Sequence, residues 1–166
     1  MKSLIIAIAV SISPVLAQAE ERNLSPLNQT MAQRSNWDDD IGEVAYVGSR
    51  CSALFFAVGS YFVSNGTTPS DKKSGENLRQ RSSVMMFASV ILGKLSKLEE
   101  QDTHNRIKVF IELYIKNMSN NKFILNNALD TPVAEDLKFC NQHEHNYVRV
   151  SQMYDSELEK AKRTKK

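Results

Sequence analysis

The sequence predicts an all-α protein: an antiparallel up-down-up-down four-helix bundle behind a cleaved signal peptide, with one disulfide linking its first and last helices. Three observations lead there. Apolar residues recur at spacings of three and four along four long segments, and no alternating strand pattern competes with them. Helix-stopping residues divide those segments into elements joined by short connections, which set neighbouring helices antiparallel. The two cysteines, Cys51 and Cys140, fall on the first and last of these elements at matching heights.

The chain opens MKSLIIAIAVSISPVLAQA. Lys2 supplies a positive start, Leu4 to Val10 a short apolar run, and Ala17-Gln18-Ala19 a small-x-small cleavage pattern. The run is too short to cross a bilayer, and helix-breaking Pro14 and the polar run from Glu20 oppose an uncleaved anchor. Residues 1–19 are therefore read as a signal peptide and the mature chain as starting at Glu20, in the periplasm or outside the cell. Residues 20–36 are polar, contain Pro26, and read as a leader. Residues 37–164 form the helical domain and 165–166 the end of a basic tail. About 147 residues remain after cleavage, enough for one domain with its own core.

The first predicted helix runs from about Asp38 to Val63, with Asn36 or Asp38 as its cap. Asn65-Gly66 stops it, and a loop through Pro69 follows. Its stretch 44–63, VAYVGSRCSALFFAVGSYFV, carries one charge, Arg50. A membrane span would place that arginine in hydrocarbon, so the reading favours the most buried helix of a soluble fold and no stable span. Gly48, Ser52 and Gly59 then permit close helix approach, and Phe55, Phe56, Val58 and Phe62 supply bulk.

The second helix is expected from about Gly75 to Leu98. The third begins near Thr103, with Ile107, Phe110, Ile111, Tyr114 and Met118 on one face. Ser119-Asn120-Asn121 weakens it, and a short apolar piece, Phe123 to Leu129, follows. Asp130 or Thr131 caps the fourth helix, with Pro132 in its first turn and Val133, Leu137, Cys140, Tyr147, Tyr154 and Leu158 along it. Cys51 lies ~18 Å before the end of its helix and Cys140 ~12 Å after the start of its own. In this topology both distances are measured from one end of the bundle, so a Cys51–Cys140 bridge is feasible, as export to an oxidising compartment favours.

The 21 basic and 19 acidic residues nearly balance, which argues against a nucleic-acid partner. No HExxH, GxGxxG, P-loop or nucleophile elbow occurs. The segment CNQHEH, Cys140 to His145, has metal-ligand residue types, but an oxidised Cys140 offers no thiolate and His145 points away, so no metal is assigned. His143 reads as a core or boundary histidine. No cofactor and no catalytic residue is assigned.

Arg50 is the residue a bland core explains least. Its head either reaches water or a carboxylate such as Glu144, or faces a pocket and holds an anion. The pocket alternative groups Arg50, Tyr46, Tyr61 and His143 as ligand-binding candidates. The tail KAKRTKK suits a helix C-terminus and could also touch an anionic surface. Sequons at Asn23, Asn28, Asn65 and Asn117 matter only in a host with that glycosylation machinery. The expected function is thus a non-catalytic, exported accessory or interaction module of the cell envelope, partnered by another envelope protein. The alternative is a small-molecule-binding bundle.

Overall fold

The computed structural model describes residues 24–125, 128–129 and 131–163; the predicted signal peptide and the tail end fall outside them. It is all-helical, with no strand among the described residues. A short α1 (Leu27–Ala32) and a 3-10 turn (Trp37–Asp39) precede four long helices: α2 (Ile41–Asn65), α3 (Pro69–Leu95), α4 (Glu100–Leu125) and α5 (Val133–Arg163).

Local chemistry explains each boundary. Asp40, not Asn36 or Asp38, caps α2, its carboxylate accepting the N–H groups of Gly42 at 2.8 Å and Glu43 at 3.1 Å. Asp38 and Asp39 belong to the 3-10 turn, and Asn36 before it sits at φ 58°, the left-handed region that asparagine tolerates. α3 starts six residues before the expected Gly75. Thr68 and Asp71 form a reciprocal capping box and Pro69 occupies the first turn, so the segment read as loop opens the helix. α4 continues through Ser119-Asn120-Asn121, where the Asn121 amide donates to Asn117 Oδ1 one turn back at 3.0 Å.

The segment expected to be a polar leader contributes to the core. Leu27 and Met31 are fully buried one turn apart on α1. Two residues are too few to register as a helical period in sequence, yet they suffice to seat a single turn.

α2 lies at the centre and packs against α3, α4 and α5. It is long and apolar enough to cross a membrane, with a mean hydropathy of 1.3 in its most apolar window, but 67% of that window is buried inside the fold. Val47, Leu54, Phe55 and Val58 are fully buried along it. Its seam with α3 is backbone-close. A Cβ at Gly59 would lie 2.7 Å from the Gly75 carbonyl oxygen, and one at Gly75 would lie 2.6 Å from that of Gly59. Ser52 Oγ donates to the Ser82 carbonyl at 2.9 Å and lies 3.3 Å from the Ser82 hydroxyl across the same seam. These pairings run α3 opposite to α2. Tyr46 against Phe110 and Arg50 against Tyr114 run α4 along α2.

Cys51 and Cys140 form the disulfide, with sulfurs 1.96 Å and Cα atoms 5.5 Å apart, closing a loop of sequence separation 89. Constraining a loop of that length in the unfolded chain stabilises the fold by about 4–5 kcal/mol. Below it, Tyr147 of α5 donates its hydroxyl to the Val44 carbonyl of α2 at 2.9 Å, so α5 runs opposite to α2.

Candidate functional site

The one strongly polar cluster in the described interior surrounds Arg50. Arg50 is 3% and Asp136 0% exposed. Arg50 Nη2 donates to Asp136 Oδ2 at 2.7 Å, and Arg50 Nε donates to Tyr114 Oη at 3.0 Å. Tyr114 in turn donates its hydroxyl to the same carboxylate oxygen, and Nη2 also donates to the Ser25 carbonyl. The other carboxylate oxygen accepts the Leu27 N–H at 2.5 Å. Four elements thus meet: α2 supplies the cation, the first turn of α5 the anion, α4 the phenol, and the chain entering α1 two backbone groups.

The electrostatics follow from this enclosure. Burial opposes the guanidinium charge, but Tyr114 and Asp136 outweigh it and hold the Arg50 pKa above its ordinary value. Burial drives the Tyr114 phenol well above its usual pKa; Arg50 opposes that rise and Asp136 reinforces it. Arg50 stays a cation and Tyr114 a neutral donor. Such a cluster locks a geometry, because deleting any one member strands the others.

The expected partner of Arg50, Glu144, is held elsewhere. It takes two bonds from Arg81 of α3, at 2.7 and 2.5 Å, and Arg81 also reaches Asn141 at 2.5 Å while its guanidinium stacks 4.3 Å from the Phe55 ring. Asp136 wins Arg50 because it lies one turn before Cys140, on the stripe that the disulfide presses against α2.

Of the other ligand-binding candidates, Tyr46 stays beside Arg50 against the Phe110 ring, and Tyr61 and His143 lie elsewhere. Tyr46, one turn before Arg50, packs edge-on against Phe110 with ring centroids 5.5 Å apart, and the Arg34 guanidinium lies 5.1 Å from its ring. Tyr61 is eleven residues beyond Arg50 on α2, or ~16 Å along the axis. It borders a groove of about 310 Å³ with Ala57, Ile115 and Met118. His143 packs against Trp37 at 5.2 Å and Phe139 at 4.5 Å. Burial and His145 lower its pKa, while Asp38 opposes them. Tyr61 and His143 therefore do not share a pocket with Arg50. Cys140 is oxidised, and among the described residues no group of three His, Cys, Asp or Glu side chains is placed to hold a metal ion.

A different surface was not anticipated. Toward the end of α3, an apolar groove of about 420 Å³ has Met86, Phe87, Val90, Ile91 and Leu95 as its floor. The start of α4 forms one wall through Glu100 and His104, and Tyr154 of α5 forms the other. Lys94 pairs with Glu100 at 2.6 Å on its rim. Leu95 is 64%, Met153 65%, and Phe87, Tyr154 and Leu158 about 40% exposed. Phe87 and Tyr154 meet edge-on at 5.5 Å. The signal in sequence is the excess of apolar residues on the second helix: Met86, Phe87, Val90, Ile91 and Leu95 form a second stripe beside the one that faces α2. No protein-family model, curated protein or solved structure matches the chain.

Proposed function

We propose that this chain is a small exported protein, periplasmic or secreted, that acts without catalysis as a contact module of the cell envelope. α2 to α5 are read as an up-down-up-down four-helix bundle and residues 1–19 as its signal peptide. The disulfide supports an oxidising compartment, since such bonds persist there and are rare in the cytosol. The burial of α2 supports a water-soluble bundle over a span.

The observation that carries the contact role is the groove on α3. Contiguous exposed apolar surface with polar walls marks a binding face more often than a bare surface. The buried charges of the interior, Arg50 and Asp136, are already committed to each other, whereas Phe87, Leu95 and Tyr154 are not enclosed.

Site-specific photo-crosslinkers placed at Phe87 and Leu95 test this reading in intact envelopes, with Lys73 on the opposite end of α3 as control. Discrete protein adducts at the two groove positions and none at the control are expected. Adducts at all three positions, or at none, would remove the support for a contact face.

A further inference from the structure

The α5 side of this face is self-complementary, and we propose that a second copy of this chain docks there, with its α5 antiparallel to α5 about a twofold axis beside Leu158, between Glu159 and Lys160. The inference rests on reading this surface as a contact face and adds the identity of the occupant.

Two independent features point to a second copy. The first is the apolar stripe of α5. Cys140 and Tyr147 are buried and Val150 is half-buried. Tyr154 and Leu158 continue the stripe at four-residue steps and are 41% and 40% exposed. From Gln152 to Arg163 every residue is exposed, although the helix continues unbroken. Three helical turns with so little beneath them are marginal in water and gain from a covering surface.

The second feature is the order of charges. Asp155, Glu157 and Glu159 come first along this segment; Lys160, Lys162 and Arg163 follow. In an antiparallel pair centred between Glu159 and Lys160, Glu157 and Glu159 of one copy face Lys162 and Lys160 of the other. A parallel pair would set like charges side by side, which is destabilising. Within one chain Glu157–Lys160 and Glu159–Lys162 already pair, but at 59–71% side-chain exposure such pairs contribute little and exchange freely across an interface. A twofold contact needs one patch that complements itself, and a helix with an acidic half followed directly by a basic half, beside an apolar stripe of Tyr154 and Leu158, meets that condition. Tyr154 and Leu158 of each copy would then cover the open groove beside Phe87 and Leu95.

Sedimentation equilibrium on the disulfide-intact mature chain tests this. A concentration-dependent monomer–dimer equilibrium is expected, weakened by salt through screening of the end charges. Leu158→Glu, at an exposed position, should give a monomer of unchanged helicity. The acid-reversed variant D155K/E157K/E159K and the base-reversed variant K160E/K162E/R163E should each self-associate roughly tenfold more weakly or worse, and their equimolar mixture should recover the dimer. A wild-type chain that stays monomeric, or a dimer indifferent to both reversals, overturns the proposal. If the chain is monomeric while groove crosslinks capture a different protein, the contact reading stands and the twofold pairing falls. If neither is seen, both fall.

Discussion

Asp136→Ala should be among the most damaging single substitutions in the described structure. Asp136 is fully buried and receives bonds from Arg50, Tyr114 and the Leu27 N–H. Removing it leaves a guanidinium that is 3% exposed without its counter-ion. Breaking a buried pair from one side costs about 3–5 kcal/mol, and the stranded Leu27 N–H adds about 1 kcal/mol. These terms overlap, so the expected loss is about 4 kcal/mol. That is a large share of the ~5–15 kcal/mol typical of a folded domain and corresponds to a fall in Tm of about 10 °C. Urea denaturation of the oxidised chain, followed by far-UV circular dichroism, measures it. The double variant Arg50→Met with Asp136→Leu replaces the ion pair by apolar groups of similar size, and should recover to within about 2 kcal/mol of the parent. A loss below about 1 kcal/mol for Asp136→Ala, the level of a surface pair, would refute the reasoning, as would a double variant that sums the two single losses.

Other outcomes follow from the same structure. Reduction, or Cys51→Ser, should lower stability by about 4–5 kcal/mol, read as the difference between melting curves with and without reductant. Gly59→Ala forces a Cβ against the Gly75 carbonyl at 2.7 Å, with no flexible atom to yield, and should cost about 1–3 kcal/mol in a denaturant titration where Ala at exposed Lys73 costs almost nothing. His143 has a folded-state pKa below its ordinary 6.5 because burial disfavours the imidazolium. The unfolded chain therefore takes up the proton first. Stability contributed by His143 is complete above about pH 6.5, declines as the pH drops toward the lowered folded value, and levels off below it. Trp37, the single tryptophan, touches His143 and reports the change by fluorescence; His143→Phe should flatten this component of the profile.

Much of the scaffold was legible because the signals are local and repeated. The stripes of α2, α4 and α5, the stop at Asn65-Gly66 and the start beside Pro132 can be read residue by residue, and the match in height between Cys51 and Cys140 constrains one long-range contact. The capping box at Thr68 and Asp71 was equally present in the sequence but was masked by Pro69, which suits a loop and a first helical turn alike. The partner of Arg50 was harder. Choosing Asp136 over Glu144 depends on which face of α5 the disulfide turns inward, and Asp136 one turn before Cys140 was the available clue. The role of Leu27 and Met31 was not legible, since a single turn gains its stability from tertiary contact and not from periodicity. The groove on α3 was missed for a related reason: an apolar stripe announces that it wants covering, but not whether another helix of the same chain will cover it.

The most direct measurement is intact mass, with peptide mapping, of the native protein isolated from the cells that make it. The account predicts a chain beginning at Glu20 with Cys51 and Cys140 joined to each other. A chain that retains Met1, or one whose two cysteines both react with an alkylating reagent before reduction, would contradict it.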